Sequence, residues 1–217
     1  MAEQPTEPVF AIDEAGRGPL WGPVIAGCVV LPLECPDGNP LWNAIRDSKK
    51  VSEKKRPIVA EYIKSVAITW GIGKADANEI DEINILQATM RSMHRAMDAA
   101  WRRCPVAARP SAIWVDGPQF IPYCPPDEDE TLDHACVVDG DATVRGIAAA
   151  SILAKVFHDD WILDYVREHP EVAPYHLEKN KGYGTAAHME ALKTLGPHEL
   201  HRFSFGPVRV AAARHII

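Results

Sequence analysis

The chain has 217 residues, with 30 acidic against 23 basic side chains, a formal net charge of −7 and 47% hydrophobic residues. That is the composition of one soluble globular domain with a sizeable core, and it excludes a disordered tail, a collagen-like repeat and a small disulfide scaffold. The five cysteines include no CxxC pair, which argues against a zinc site or disulfide framework and for a reducing cytoplasmic compartment. The N-terminus MAEQPTEPV is polar, and the longest apolar run, Val24 to Leu33, is about half of what a membrane helix needs, so neither a signal peptide nor a membrane span is expected.

In chain order, Val9 to Asp13 and Val24 to Leu31 read as buried strands joined as a hairpin, because both are short, apolar and β-branched with Gly and Pro between them. Lys54 to Ser65 has apolar residues at helical spacing, and Val66 to Ile72 returns to strand-like alternation. Glu79 to Arg103 sets Ile80, Ile83, Leu86, Met90, Met93 and Met97 three or four apart, the stripe of a helix packed on a sheet, with the methionines as core. Ala112 to Val115 and His134 to Val138 are two further strands, each running into an Asp/Gly turn.

Between those last strands, Pro118 to Asp133 is rich in proline and carboxylates and is expected to be an exposed loop. A long helix is expected from about Thr143 to Arg167, and its small residues in IAAASILAK allow a close approach to the sheet. The alternation of strands and helices makes the class α/β, with a mixed sheet flanked by helices. Neither a repeat nor a Gly/Ser linker divides the chain, so residues 1–217 are expected to form a single domain.

The chemistry gathers at strand ends. Asp13 and Glu14 end the first strand, Asp116 follows AIWV, and Asp141 follows ACVV after Asp139-Gly140. In open α/β sheets this carboxyl edge is where ligands bind. Each Asp-Gly alone is an ordinary turn, but together they form a hard-oxygen set suited to Mg²⁺ or Mn²⁺, two of which can flank a phosphate. Ile45 to Lys64 holds seven Lys/Arg against three Asp/Glu, a basic rim able to bind a phosphate backbone despite the acidic total, or else a solvated helix face. Lys181-Gly182-Tyr183-Gly184-Thr185 is either a ligand loop with Tyr183 as a stacking face or a turn with a packed tyrosine. The C-terminal histidines, among them His176, His188, His198 and His201, lack metal-ligand spacing and read as capping, surface or phosphate-facing groups.

FAIDEAGRGPLWGPVIAGCVVLP, DSKKVSEKKR, INILQATM, WVDG, GDATVRGIAAASILAKV, KGYGTAAH and HRFSFGPV resemble, in order, the motifs of ribonuclease HII, from about Phe10 to Val208. The resemblance implies a ribonuclease H-like fold with a helical, substrate-binding C-terminal part at about residues 176–217. It implies a monomeric endonuclease that cuts the RNA strand of RNA/DNA hybrids and nicks 5′ of single ribonucleotides in duplex DNA, leaving 3′-hydroxyl and 5′-phosphate ends. Motif by motif, it places two Mn²⁺ or Mg²⁺ ions on Asp13, Glu14, Asp116 and Asp141. It places recognition of the ribose 2′-hydroxyl on Gly16, Arg17 and Gly18, stacking on the sugar on Tyr183 and a phosphate contact on Lys49.

The chain departs from the family pattern at Trp21, Val51 and Asn180 and in the acidic 118–133 loop. Trp21, beside the recognition loop, is the departure expected to bear on substrate preference. A non-catalytic binder of RNA/DNA junctions is a rival that the four carboxylates oppose. Ribonuclease HIII shares the acid set, but its usual extra N-terminal domain has no room before Phe10.

Overall fold

The computed structural model describes residues 4–46 and 48–215. Five strands, β1 (Phe10–Ala15), β2 (Val24–Val30), β3 (Thr69–Ala75), β4 (Ala112–Asp116) and β5 (Asp133–Val137), form one sheet in the order β3-β2-β1-β4-β5. β1, β2 and β3 are antiparallel neighbours, whereas β4 joins β1, and β5 joins β4, in parallel. The mixed sheet inferred from the sequence is therefore present, and its central strand β1 delivers Asp13 and Glu14 to one end.

Among the described residues seven α-helices accompany the sheet, beside four short 3-10 helices: α1 (Arg56–Val66), α2 (Ala77–Arg103), α3 (Gly140–Thr143), α4 (Arg145–Glu168), α5 (Leu177–Asn180), α6 (Ala186–Leu195) and α7 (Gly206–His215). α2 covers one face of the sheet, where Met90, Met93, Met97 and Trp101 pack on Phe10, Ile12, Cys28 and Val30. The methionine stripe is core, as its spacing indicates. On the opposite face α4 lays Ala148, Ala149, Ala150 and Ile152 against Val29.

The small residues of α4 let it come very close. A Cβ on Gly27 of β2 would stand 2.5 Å from the Ala150 carbonyl oxygen, so only glycine admits the helix there. Gly27 pairs with Asp13 across the β1/β2 ladder, and the same approach brings Ser151 of α4 to the Asp13 carboxyl. The packing of two glycine- and alanine-rich surfaces is thus what encloses the first carboxylate.

Three elements differ from the sequence reading. The third strand is Thr69–Ala75 because Val66 still belongs to α1, with Ala67 N–H bonded to the Ile63 carbonyl at 2.9 Å. α2 is kinked at Asn84 (φ 70°, ψ 162°), whose side-chain oxygen accepts from the amides of Leu86 and Gln87 and restarts the helix. The 118–133 segment carries no strand or helix before Asp133, but it is not wholly exposed. Tyr123 is buried on the α2 side and its hydroxyl donates to Asp98 at 2.9 Å.

Beyond the sheet, α6 and α7 pack with the latter half of α4 through Ile162, Leu192, Val208 and Ala211. Trp21 sits fully buried in that cluster, 5.1 Å from Tyr165 and 5.7 Å from Trp161 between ring centroids. It joins the C-terminal helices to the hairpin and does not face the site. No helix among the described residues is long and apolar enough to cross a membrane.

Candidate active site

Asp13, Glu14, Asp116 and Asp141 line one cavity of about 310 Å³ at the carboxyl end of β1 and β4, together with Gly16, Arg17, Gly18 and Tyr183. Asp13 points to the α4 side of β1 and is 6% exposed. Its Oδ1 accepts the Glu14 amide at 2.7 Å. Asp116 ends β4, and its Oδ1 accepts the amide of Asp141 at 3.2 Å. Asp141 does not sit at a strand end but in the single turn α3, reached through Asp139 in the left-handed region (φ 54°).

Burial holds the Asp13 carboxyl well above the usual carboxylate range, and the charges of Glu14 and Asp116 push it further. Glu14 is also raised, first by burial, although the Arg17 guanidinium 3.2 Å away opposes the shift. Like charges gathered in a low-dielectric corner are costly, and a divalent cation relieves that cost. The donor set fits Mg²⁺ or Mn²⁺, being oxygen only, with neither imidazole nor thiolate in the cavity wall. Among the described residues, no group of three His, Cys, Asp or Glu side chains is already drawn together as a cation cluster. The four carboxylates share a cavity without converging on one point.

The loop Gly16-Arg17-Gly18 forms the next wall. Gly16 has φ 89°, and a Cβ there would meet the His158 ring at 2.5 Å and the Pro23 carbonyl at 2.9 Å. Gly18 faces Tyr183, whose Cε1 would lie 3.2 Å from a Cβ at that position. Tyr183 is 44% exposed, so its ring is an open face beside the loop, not a packed core tyrosine. Asn180 shapes that turn, accepting the Gly182 amide on its side chain and the Tyr183 amide on its carbonyl, both at 2.9 Å. Lys49 lies outside the residues whose side chains are described.

Several residues of the site lie within the family-like motifs, which did not mark them out. Ser48, Arg56, Ser151 and Lys155 line the same cavity, with Ser151 Oγ donating to Ser48 Oγ at 3.0 Å and Lys155 Nζ 2.8 Å from Asp159. Ser151 and Lys155 were visible in the sequence as polar residues four apart along the small, apolar start of α4, hence on one face. Arg56, counted in the basic rim, is turned inward and donates to the carbonyls of Ser48 and Val51.

The largest omission is Arg202. Its guanidinium has no exposed surface and donates to four main-chain carbonyls, those of Gly16 (2.6 Å), Arg17 (2.9 Å), Gly22 (2.9 Å) and Pro23 (2.9 Å). Burial lowers its pKa to about 10, so the group remains a cation at neutral pH. Asp81 of α2 holds the segment that follows, accepting the amides of Phe203 and Ser204 at 2.8 Å. An arginine within HRFSF gives no local signal of burial.

The family model described as ribonuclease HII matches residues 10–208. The chain belongs to the ribonuclease HII family. The ribonuclease HII of Paramagnetospirillum magneticum is 47% identical over 203 residues, covering 92% of this chain and 90% of that one. Among solved structures, the ribonuclease H2 from Pyrococcus horikoshii superposes with a TM-score of 0.72 at 21% identity, covering 95% of this chain and 98% of that one. A Bst-RNase HIII in complex with Mn²⁺ also reaches a TM-score of 0.72, at 16% identity, covering 96% of this chain and 70% of that one. These two likenesses show the ribonuclease H-like fold. Membership makes this chain a hydrolase of the ribonuclease H kind, in a family that cleaves RNA in RNA/DNA hybrids.

Proposed function

We propose that the protein hydrolyses the RNA strand of RNA/DNA hybrids and nicks duplex DNA on the 5′ side of a single embedded ribonucleotide, leaving 3′-hydroxyl and 5′-phosphate ends. The observation that supports this reading most is that the four carboxylates, the Gly16–Gly18 loop and the Tyr183 ring border the same cavity. A nuclease selective for ribose needs its cutting groups within one nucleotide of the groups that sense the sugar.

Asp13, Glu14, Asp116 and Asp141 would hold two Mn²⁺ or Mg²⁺ ions, which supply charge neutralisation at the phosphate and activation of water. The chain's own residues orient the substrate. The 2′-hydroxyl is the only reporter of sugar identity at a given position, and the Gly16-Arg17-Gly18 main chain, free of β-carbons at its two glycines, lets a ribose come close. Arg17 adds a half-exposed cation beside Glu14, suited to a neighbouring phosphate. Tyr183 offers its ring to the sugar at the RNA–DNA junction, and Lys49 a phosphate contact on the strand flank. The helical C-terminal part, from about residue 176, carries Tyr183 and so takes part in holding the duplex. We read the protein as a single domain and a monomer acting on nucleic acid in the cytoplasm.

Digestion of an end-labelled RNA/DNA hybrid beside an all-DNA duplex, in Mg²⁺, in Mn²⁺ and with chelator, tests this. Cation-dependent cutting of the hybrid alone, with ends that DNA ligase rejoins, supports the reading. Tight binding of both duplexes without cutting in either cation overturns it in favour of a binding module.

A further inference from the structure

Behind the Tyr183 loop lie two imidazoles that the cleavage reading leaves without a task. His188 of α6 and His201 have no exposed surface, and their Nε2 atoms are 2.9 Å apart. The His198 main-chain amide donates to His201 Nδ1 at 2.8 Å. The same Nδ1 lies 3.2 Å from the His198 carbonyl oxygen, but a proton on it would stand against the amide hydrogen at the shorter distance; the amide can only donate, so His201 Nδ1 accepts and the His201 proton resides on Nε2. That proton is donated to His188 Nε2, which leaves the His188 proton on Nδ1, and His188 Nδ1 donates to the Tyr183 carbonyl at 3.0 Å. Each polarity along this line of hydrogen bonds follows from its first donor.

The far end of the line is as firmly fixed. His201 forms an isolated antiparallel bridge with Trp21, and the Arg202 amide donates to the Leu20 carbonyl at 2.9 Å. Arg202 itself carries the carbonyls of Gly16 and Arg17. Two successive residues therefore reach both recognition elements, His201 toward Tyr183 and Arg202 toward the Gly16–Gly18 loop. Tyr175 packs edge-on against both imidazoles, at 5.9 Å and 4.8 Å between ring centroids.

We propose that the His188–His201 pair is a positioning device for ribose selectivity, which fixes the Tyr183 main chain relative to the Gly16–Gly18 loop through a single directed line of hydrogen bonds. The proposal rests on the reading of Tyr183 as the ring that meets the sugar. Burial keeps both imidazoles below their usual pKa, and positive charge is opposed further by His176 at His188 and by His188, then His198, at His201. Both imidazoles are thus held toward the neutral form that the line requires. Neither histidine lines the carboxylate cavity, so the device acts on positioning and not on the cations.

The test is a double-mutant cycle on cleavage of duplex DNA with one ribonucleotide, read as kcat/KM, with half-saturating Mn²⁺ as the control. His188→Phe keeps the bulk and removes both hydrogen bonds, and is expected to lower kcat/KM by about tenfold, the scale of one positioned hydrogen bond, with the Mn²⁺ requirement unchanged. In a Tyr183→Ala background the same substitution is expected to cost nothing further. His188→Gln, which can both accept and donate, restores most of the loss. Wild-type cleavage by Tyr183→Ala would remove the stacking reading itself. A defective Tyr183→Ala combined with an unimpaired or fully additive His188→Phe would overturn the positioning proposal alone. Nitrogen-15 spectra of the wild-type imidazoles, which do not depend on any variant folding, should show His188 protonated on Nδ1 and His201 on Nε2 at pH 7. The reverse tautomers would also overturn it.

Discussion

The carboxylate end of the cavity and the end proposed to read the sugar, at Gly16 and Tyr183, are built on opposite electrostatic terms. Around Asp13, like charges are crowded into a buried corner, and burial and neighbours together disfavour ionisation. Around Gly16 and Tyr183, a buried cation is surrounded by four carbonyls and two neutral imidazoles are bonded end to end. Burial and like charge at Asp13 suit the carboxylate end to accept cations, whereas the Arg202 guanidinium and the two imidazoles at the other end are hydrogen-bonded within the protein. A sugar-selective nuclease benefits from this division, because discrimination requires a preformed geometry while the catalytic charge can be brought in with the ions.

The comparison breaks most severely at Asp13. Asp13→Asn removes a carboxylate proposed to hold a cation from the crowded corner, and cleavage should fall by about three orders of magnitude or more. In chelator its Tm should be no lower than that of the wild type, since a carboxylate held in an unfavourable environment contributes little to folding. A large fall in Tm would mean that Asp13 is a structural residue.

At the other end the expected order is reversed. Arg202→Ala leaves four carbonyls without their donor in a dry interior and should cost about 3–5 kcal/mol of stability. Denaturant unfolding measures this, and a cost below about 1 kcal/mol would show that water or neighbouring amides replace the guanidinium.

A third effect is the acid sensitivity of the histidine pair. The folded-state pKa of His201 is lowered to about 3, below its unfolded value near 6.5. Its contribution to stability is therefore fully present above pH 6.5 and is lost as pH falls from there toward 3. Tm measured across that window should drop more steeply for the wild type than for His201→Gln. Parallel curves would place the pair's protonation elsewhere.

The cutting end was the more legible of the two in the sequence. Strand ends announce themselves by apolar runs, so Asp13, Glu14 and Asp116 could be placed at one sheet edge from local pattern alone. The motifs supplied Gly16, Arg17, Gly18 and Tyr183, which the structure brings to the same cavity. The reading end depends on contacts between residues about 180 positions apart, such as Arg202 with Gly16 and Gly22, and local periodicity carries no trace of them. His188 and His201 were read as capping, surface or phosphate-facing groups for the same reason, since nothing within KGYGTAAH or HRFSF indicates full burial. In the fold, β3 was misplaced by three residues because Thr69, Gly71, Gly73 and Ala75, whose smallness admits α2, look unlike a core strand. The kink at Asn84 was hidden because apolar spacing continues across it. The acidic 118–133 loop was expected to be exposed because its anchors, Tyr123 with Phe120 and Leu132 beside it on the α2 side, are scattered singly among prolines and carboxylates.

The central claim is that one cavity joins a cation-dependent cutter to a preformed reader of a single ribose. Its most direct test is an end-labelled DNA duplex containing one ribonucleotide, incubated with Mg²⁺ or Mn²⁺ and mapped to the nucleotide. The account predicts one nick, immediately 5′ to the ribonucleotide, abolished by chelator and absent from the all-DNA control. Cutting at several deoxyribonucleotide positions, or none in either cation, would contradict it.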